Sequence, residues 1–128
     1  MGEPGPGEVA IDVAAVGTNP VDYKLFSGTF GADPSQLPMP VGSELAGVVT
    51  AVGTGAEGPA GPVAPGDQVI AYRVEGAYAS QVVVPGSVVV PKPTTLSFEE
   101  ASGLMLTGTT AVHALTVTGV GPGDTVVI

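Results

Sequence analysis

Three features of the amino-acid sequence predict a mainly β fold with short helices, in which two architectures follow one another. The first is punctuation: 20 glycines and 13 prolines fall between short apolar runs, as turns do between many short strands. The second is a change of period beyond residue 95, where alternation gives way to a capped helical pattern. The third is the closing run Val126-Val127-Ile128, whose unbroken apolar character suits a strand covered on both faces, as in a parallel sheet. Residues 1–95 therefore read as an antiparallel β-domain, and residues 96–128 as the threshold of an α/β one. A parallel strand needs a crossover and a partner strand, so the chain is expected to be a fragment of something larger.

Each element has its own signal. Glu8 to Val16 reads as a strand, with Val9, Ile11 and Val13 alternating against Ala10 and Asp12. Gly17-Thr18 breaks it, and Asn19-Pro20-Val21-Asp22 starts a short helix. Asn19 can cap, Pro20 suits the first helical position and Asp22 favours the positive end of the helix dipole. That helix is expected to run through Phe26 and end near Gly28, ahead of a Gly/Pro-rich loop from Thr29 to Pro40. Leu45 to Val52 is a second strand, where Gly47 permits close backbone approach. Gly53 to Pro65, with four glycines, three prolines and one charge, is a surface loop.

Strands are expected again at Gln68–Tyr72, Ala77–Val84 and Ser87–Val90. Pro91-Lys92-Pro93 then marks an exit from the sheet, since proline cannot donate to a ladder. Ser97-Phe98-Glu99-Glu100 is a capping box. Helix follows from Glu100, is expected to break around Leu106-Thr107-Gly108, and resumes from Thr109 to about Val117, with Gly119 as a left-handed cap. Asp124 to Ile128 is the lone closing strand.

Composition excludes several functions. Hydrophobic residues at 44% with 12% charged fit a globular domain. A net charge of −9, with Lys24, Arg73 and Lys92 the only basic residues, cannot track phosphates, so no nucleic-acid partner is expected. No apolar stretch reaches the ~20 residues of a membrane span. The opening Met1-Gly2-Glu3-Pro4 has neither the basic nor the apolar region of a signal peptide, which makes a cytoplasmic location the default. With no cysteine and the single His113, no thiolate or histidine-cluster metal site is expected.

A set of short segments then points further: Pro4-Gly5-Pro6-Gly7-Glu8-Val9, Asn19-Pro20-Val21-Asp22-Tyr23-Lys24, Gly42-Ser43-Glu44-Leu45-Ala46-Gly47-Val48-Val49, Pro65-Gly66-Asp67-Gln68-Val69, Gly76-Ala77-Tyr78-Ala79, Val90-Pro91-Lys92-Pro93, Leu96-Ser97-Phe98-Glu99-Glu100-Ala101 and Pro122-Gly123-Asp124-Thr125-Val126. In this order and spacing the chain resembles the medium-chain dehydrogenase/reductase superfamily, within it the zinc-independent quinone oxidoreductase-like branch. The resemblance implies a GroES-like β-barrel domain over residues 1–95. Linking helices and the first strand of a truncated Rossmann domain, ending before the phosphate-binding turn, would fill residues 96–128. It also implies that an opening hairpin is missing, which would leave strand edges that invite self-association.

The implied parent is an NADPH-dependent oxidoreductase that transfers hydride to a quinone or an α,β-unsaturated carbonyl compound, and the fragment alone is expected to be inactive. Where zinc-dependent relatives carry Cys and His, this chain has Asn19 and Ser43, which are poor zinc donors. The resemblance puts Asn19 beside the nicotinamide ribose and the substrate; the same residue reads as a helix N-cap. Lys24 lies near a cofactor-contacting Tyr of the branch, with Tyr23 shifted by one; it could meet a phosphate, but its own character favours a solvated cation. Thr110 matches a Thr at the carboxamide end of the nicotinamide, or is a β-branched helix residue with a satisfied hydroxyl. Asn19, Tyr23 and Phe26 are expected to shape the substrate pocket.

No catalytic residue is assigned, and the phenol of Tyr72 is the one candidate proton donor. Glu44 reads as structural, Asp22 as a helix-dipole carboxylate and His113 as a packing residue of an apolar helix. The alternative to a reductase is a stand-alone GroES-like binding or assembly module with no catalytic activity, using the Gly53–Pro65 loop; a fold does not fix a function.

Overall fold

The computed structural model describes residues 2–31 and 33–127. β1 (Glu8–Val16), in which Ala10 is buried along with Val9 and Ile11 rather than alternating outward, joins the continuously apolar β2 (Glu44–Val52) and β5 (Gln68–Tyr72) in one antiparallel sheet. With β6 (Gln81–Pro85) and β7 (Val89–Pro91) the spatial order is β6-β1-β2-β5-β7. β2 and β5 are buried on both faces because each has neighbours on either side and a layer above and below. Leu45 and Val49 join Val9, Ile11, Val69 and Val82 in the main core, while Ala46 and Ile70 turn to the other face.

That other face is covered by α2 (Phe98–Ser102), through Ala101 and Phe98. The chain reaches α2 by a turn held by buried Lys92, whose Nζ donates to the carbonyls of Pro93 and Leu96 and lies 5.3 Å from the centre of the Phe98 ring. The capping box at Ser97 forms: its N–H donates to Glu100 Oε2 at 2.9 Å, and its hydroxyl accepts the Glu100 N–H at 3.2 Å. Close passage of β1 over β2 requires Gly47, since a Cβ there would collide with the Asp12 carbonyl.

The structure corrects the expected layout in several places. Gly53–Pro65 is no bare loop: β3 (Glu57–Gly58) and β4 (Gly61–Pro62) pair as a ribbon. It seats against the short 3₁₀ turn Gly86–Val88 between β6 and β7, where a Cβ on Gly86 would lie 2.8 Å from the Glu57 carbonyl oxygen. The hydrogen-bonded ladder itself is open rather than a closed barrel, with β6 and β7 at its edges. Ser87–Val90 thus begins in that turn rather than as strand. The strand expected from Ala77 starts only at Gln81, because Ala77 and Tyr78 donate instead to the carbonyls of Gly42 and Val41 at 3.2 and 3.0 Å.

The helix break falls at Gly103, not at Leu106-Thr107-Gly108, and α3 (Leu104–Thr118) runs through the latter. The Thr107 hydroxyl donates back to the Gly103 carbonyl at 2.7 Å, so its polar group is satisfied within the helix. Gly119 does cap α3 in the left-handed region, with φ 71°. No residue of α3 is buried. Residues 124–127 form no strand, because no strand among the described residues lies beside them to supply a ladder, and Val127 is 93% exposed; Ile128 lies outside the described residues. Among the described residues no helix is long and apolar enough to cross a membrane.

Candidate functional site

The site grows from the junction of β1 with α1 (Pro20–Phe26). β1 ends at Val16, and Gly17 must then pass beside Glu44: a Cβ on Gly17 would lie 2.5 Å from Glu44 Oε1. Asn19 is extended, with φ −131° and ψ 151°, and Pro20 opens the helix with the fixed φ that a first turn wants. The Asp22 carboxylate reaches back, and its Oδ2 accepts the Asn19 backbone N–H at 2.7 Å.

Three polar side chains are buried here, Asn19 at 8%, Asp22 at 3% and Glu44 at 1% exposure, and such burial demands partners. Asn19 Nδ2 donates to Glu44 Oε1 at 2.8 Å, and the Leu106 backbone N–H, in the first turn of α3, donates to Glu44 Oε2 at 2.8 Å. One carboxylate therefore joins α1 to α3. The Tyr78 hydroxyl donates to Asp22 Oδ2 at 2.8 Å. The Tyr78 side chain is 43% exposed as a whole; partial desolvation at its hydroxyl end, then the hydrogen bond to Asp22 and its negative charge, push the phenol up to about 12. At neutral pH the phenol keeps its proton. Asp22 Oδ1 and the Ser43 hydroxyl are buried with no hydrogen-bond partner among the described residues.

Asn19, Asp22, Tyr23, Phe26 and Tyr78 wall one open groove of about 380 Å³. Of the residues expected to shape a substrate pocket, Asn19, Tyr23 and Phe26 are all brought together there. Lys24, on the same helix, is half-buried and does not line that groove. Tyr72 faces a different, second groove beside Arg73, Met105 and Thr109. Thr110 stands exposed on α3, its hydroxyl donating to the Leu106 carbonyl at 2.7 Å. His113, expected to pack, is exposed instead, since nothing covers that stretch of α3.

Sequence reasoning missed Tyr78; Glu44, read as structural, does tie two elements, and Asp22, read as a helix-start carboxylate, accepts the Asn19 N–H and in addition the Tyr78 hydroxyl. Tyr78 sits in one of the recognised segments, yet 56 positions separate it from the carboxylate it binds. One further signal was present in Gly42: with φ +94° it lies where a Cβ would come within 2.5 Å of the Tyr78 ring, so the two residues pack as a pair.

Residues 5–94 match the alcohol dehydrogenase GroES-like domain. The chain belongs to that family, and through it to the medium-chain dehydrogenase/reductase superfamily. Its relatives in this superfamily include the trans-enoyl reductase tazE of Aspergillus terreus, 37% identical over 96% of this chain and 43% of that protein. A quinone oxidoreductase of Salmonella typhimurium is 35% identical over 88% of this chain and 33% of that protein. The Escherichia coli quinone oxidoreductase, solved in complex with NADPH, superposes with a TM-score of 0.81 at 31% identity, over 92% of this chain and 35% of that one. The chain thus spans between a third and somewhat under half the length of these relatives.

Proposed function

We propose that this chain forms the substrate-and-nicotinamide face of an NADPH-dependent reductase that delivers hydride to a quinone or an α,β-unsaturated carbonyl compound without zinc. The groove of Asn19, Tyr23, Phe26 and Tyr78 carries this reading, because it joins flat apolar walls to buried, tied polar groups. Exposed aromatic faces suit a planar acceptor, and the tied groups suit orientation rather than proton transfer. The residues facing the groove include no thiol and no imidazole, and Asn19 Nδ2 is turned to Glu44, so the donor set does not fit zinc.

NADPH, when bound, supplies the hydride. Asn19 and Thr110 hold the nicotinamide end, with Lys24 as a further contact. Tyr23 and Phe26 stack on the acceptor and exclude water from it. Tyr78 and Asp22 keep α1 in place. Tyr72, in its separate groove, takes no part in this scheme. On this reading Asp124 to Ile128 is the first strand of a nucleotide-binding sheet.

The test is NADPH oxidation by the full gene product, with a simple quinone and an α,β-enone as acceptors, in the presence and absence of a chelator. Turnover of either acceptor that survives the chelator, and that falls on Asn19→Ala, is expected. Failure with both acceptors, or loss of turnover to the chelator, would overturn the reading.

A further inference from the structure

Two of the residues proposed to meet the nicotinamide stand on different elements, 91 positions apart, Asn19 before α1 and Thr110 in α3. The only polar route between them among the described residues runs through one side chain. Asn19 Nδ2 donates to Glu44 Oε1 at 2.8 Å; the Leu106 N–H donates to Glu44 Oε2 at 2.8 Å; and the Thr110 hydroxyl donates to the Leu106 carbonyl at 2.7 Å. We infer that Glu44 is a positioning residue, whose carboxylate fixes the Asn19 amide and the first turn of α3 in one relation so that Asn19 and Thr110 can address a single ring. The inference rests on the cofactor reading above for its purpose, but the mechanical link stands on geometry alone.

Three physical points favour it. Glu44 is 1% exposed, so both oxygens need donors, and each has one from a different element. Glycine at position 17 leaves the carboxylate its place, since a Cβ there would lie 2.5 Å from Glu44 Oε1. No residue of α3 is fully buried; its first turn is placed by this bond, by the short α2 connection and by Met105, which packs on the cluster of Ala46, Ile70 and Ala101. An anion at a helix N-terminus is also favoured by the helix dipole.

The experiment reads the link and its purpose separately, by NMR on the 128-residue chain. For the link, Asn19→Ala is made in the parent sequence and in Glu44→Gln, and hydrogen exchange of the Leu106 amide is measured. In the parent sequence Asn19→Ala is expected to speed that exchange roughly fivefold, the size of one net hydrogen bond, and to add nothing once Glu44 is replaced. An unchanged Leu106 rate, or the same acceleration in both backgrounds, would overturn the inference. If Glu44→Gln does not fold, Glu44→Asp, which keeps the charge but shortens the reach, takes its place with the same two outcomes.

For the purpose, nicotinamide mononucleotide is titrated into the parent chain and Glu44→Gln. Shifts at both the Asn19 amide and Thr110 in the parent, weakened together in the variant, are expected. Equal binding by both chains would refute the positioning role. No binding by the parent chain would count against the cofactor reading instead, and the exchange experiment alone would then decide the link.

Discussion

Tyr78 and Asp22, 56 positions apart in the chain, meet through a 2.8 Å hydrogen bond that closes one end of the groove beside α1. The carboxylate oxygen that accepts this bond also accepts the Asn19 N–H, so a single atom ties the segment before β6 to the start of the helix. The neutral phenol is thereby favoured in the folded protein.

The pH dependence follows from that preference. Tyr78 titrates at about 12 in the fold against 10.0 for an ordinary phenol. Between these values the unfolded chain has released a proton that the folded chain still holds, so stability falls as pH rises. The contribution is intact below pH 10 and is lost on the way to about 12. Subtracting the urea-unfolding profile of Tyr78→Phe from that of the parent should isolate this alkaline limb. A flat difference over that window would contradict the assignment.

At neutral pH, Tyr78→Phe should cost about 1 kcal/mol, because Asp22 Oδ2 loses one of two donors while the Asn19 N–H remains. The ring packing on Gly42 is kept, so the backbone fold and its far-ultraviolet circular dichroism should change little.

Glu44→Ala is a harsher change. It leaves the Leu106 N–H and Asn19 Nδ2 without their acceptor in a buried place, and a loss of about 2–4 kcal/mol is expected from two stranded donors. Chemical denaturation measures it; a loss within about 0.5 kcal/mol, the range of ordinary surface changes, would mean that the carboxylate carries no structural load.

Gly17→Ala tests the same carboxylate from the other side. The added methyl would lie 2.5 Å from Glu44 Oε1, so the side chain must shift or the backbone must give, at about 1–3 kcal/mol. Combined with Glu44→Ala the penalty should shrink, since the clash is gone, and a double-mutant cycle in denaturant reads that coupling directly.

Core and helix surface should separate cleanly. Ile11→Ala, at a side chain with 0% exposure in the main core, should lose about 2–5 kcal/mol. Val112→Ser, at a side chain 65% exposed on α3, should stay within about 0.5 kcal/mol in this chain. Thermal unfolding of both variants beside the parent decides it.

Much of the architecture was legible in residue order. The alternation of Val9, Ile11 and Val13, the Pro20 helix start, the capping box at Ser97 and the glycine stop at Gly119 all act within a few residues of themselves, and local chemistry suffices to read them. The recognised segments were enough to identify the family, and three of the expected groove residues, Asn19, Tyr23 and Phe26, share one helix and its cap.

What local reading could not supply were matters of partnership. Val126 and Val127 have the composition of a strand but no neighbour to pair with, and α3 continues through Gly108 because its hydrogen bonds outweigh one weak residue. Tyr78 becomes a groove residue only because the 73–78 segment folds back along Val41–Ser43 and sets its ring on Gly42. Glu44 becomes a link only because β2 delivers it between α1 and α3. Propensity, capping and periodicity are written in neighbours along the chain; burial and the satisfaction of buried charge depend on neighbours in space, and only the tertiary structure chooses those.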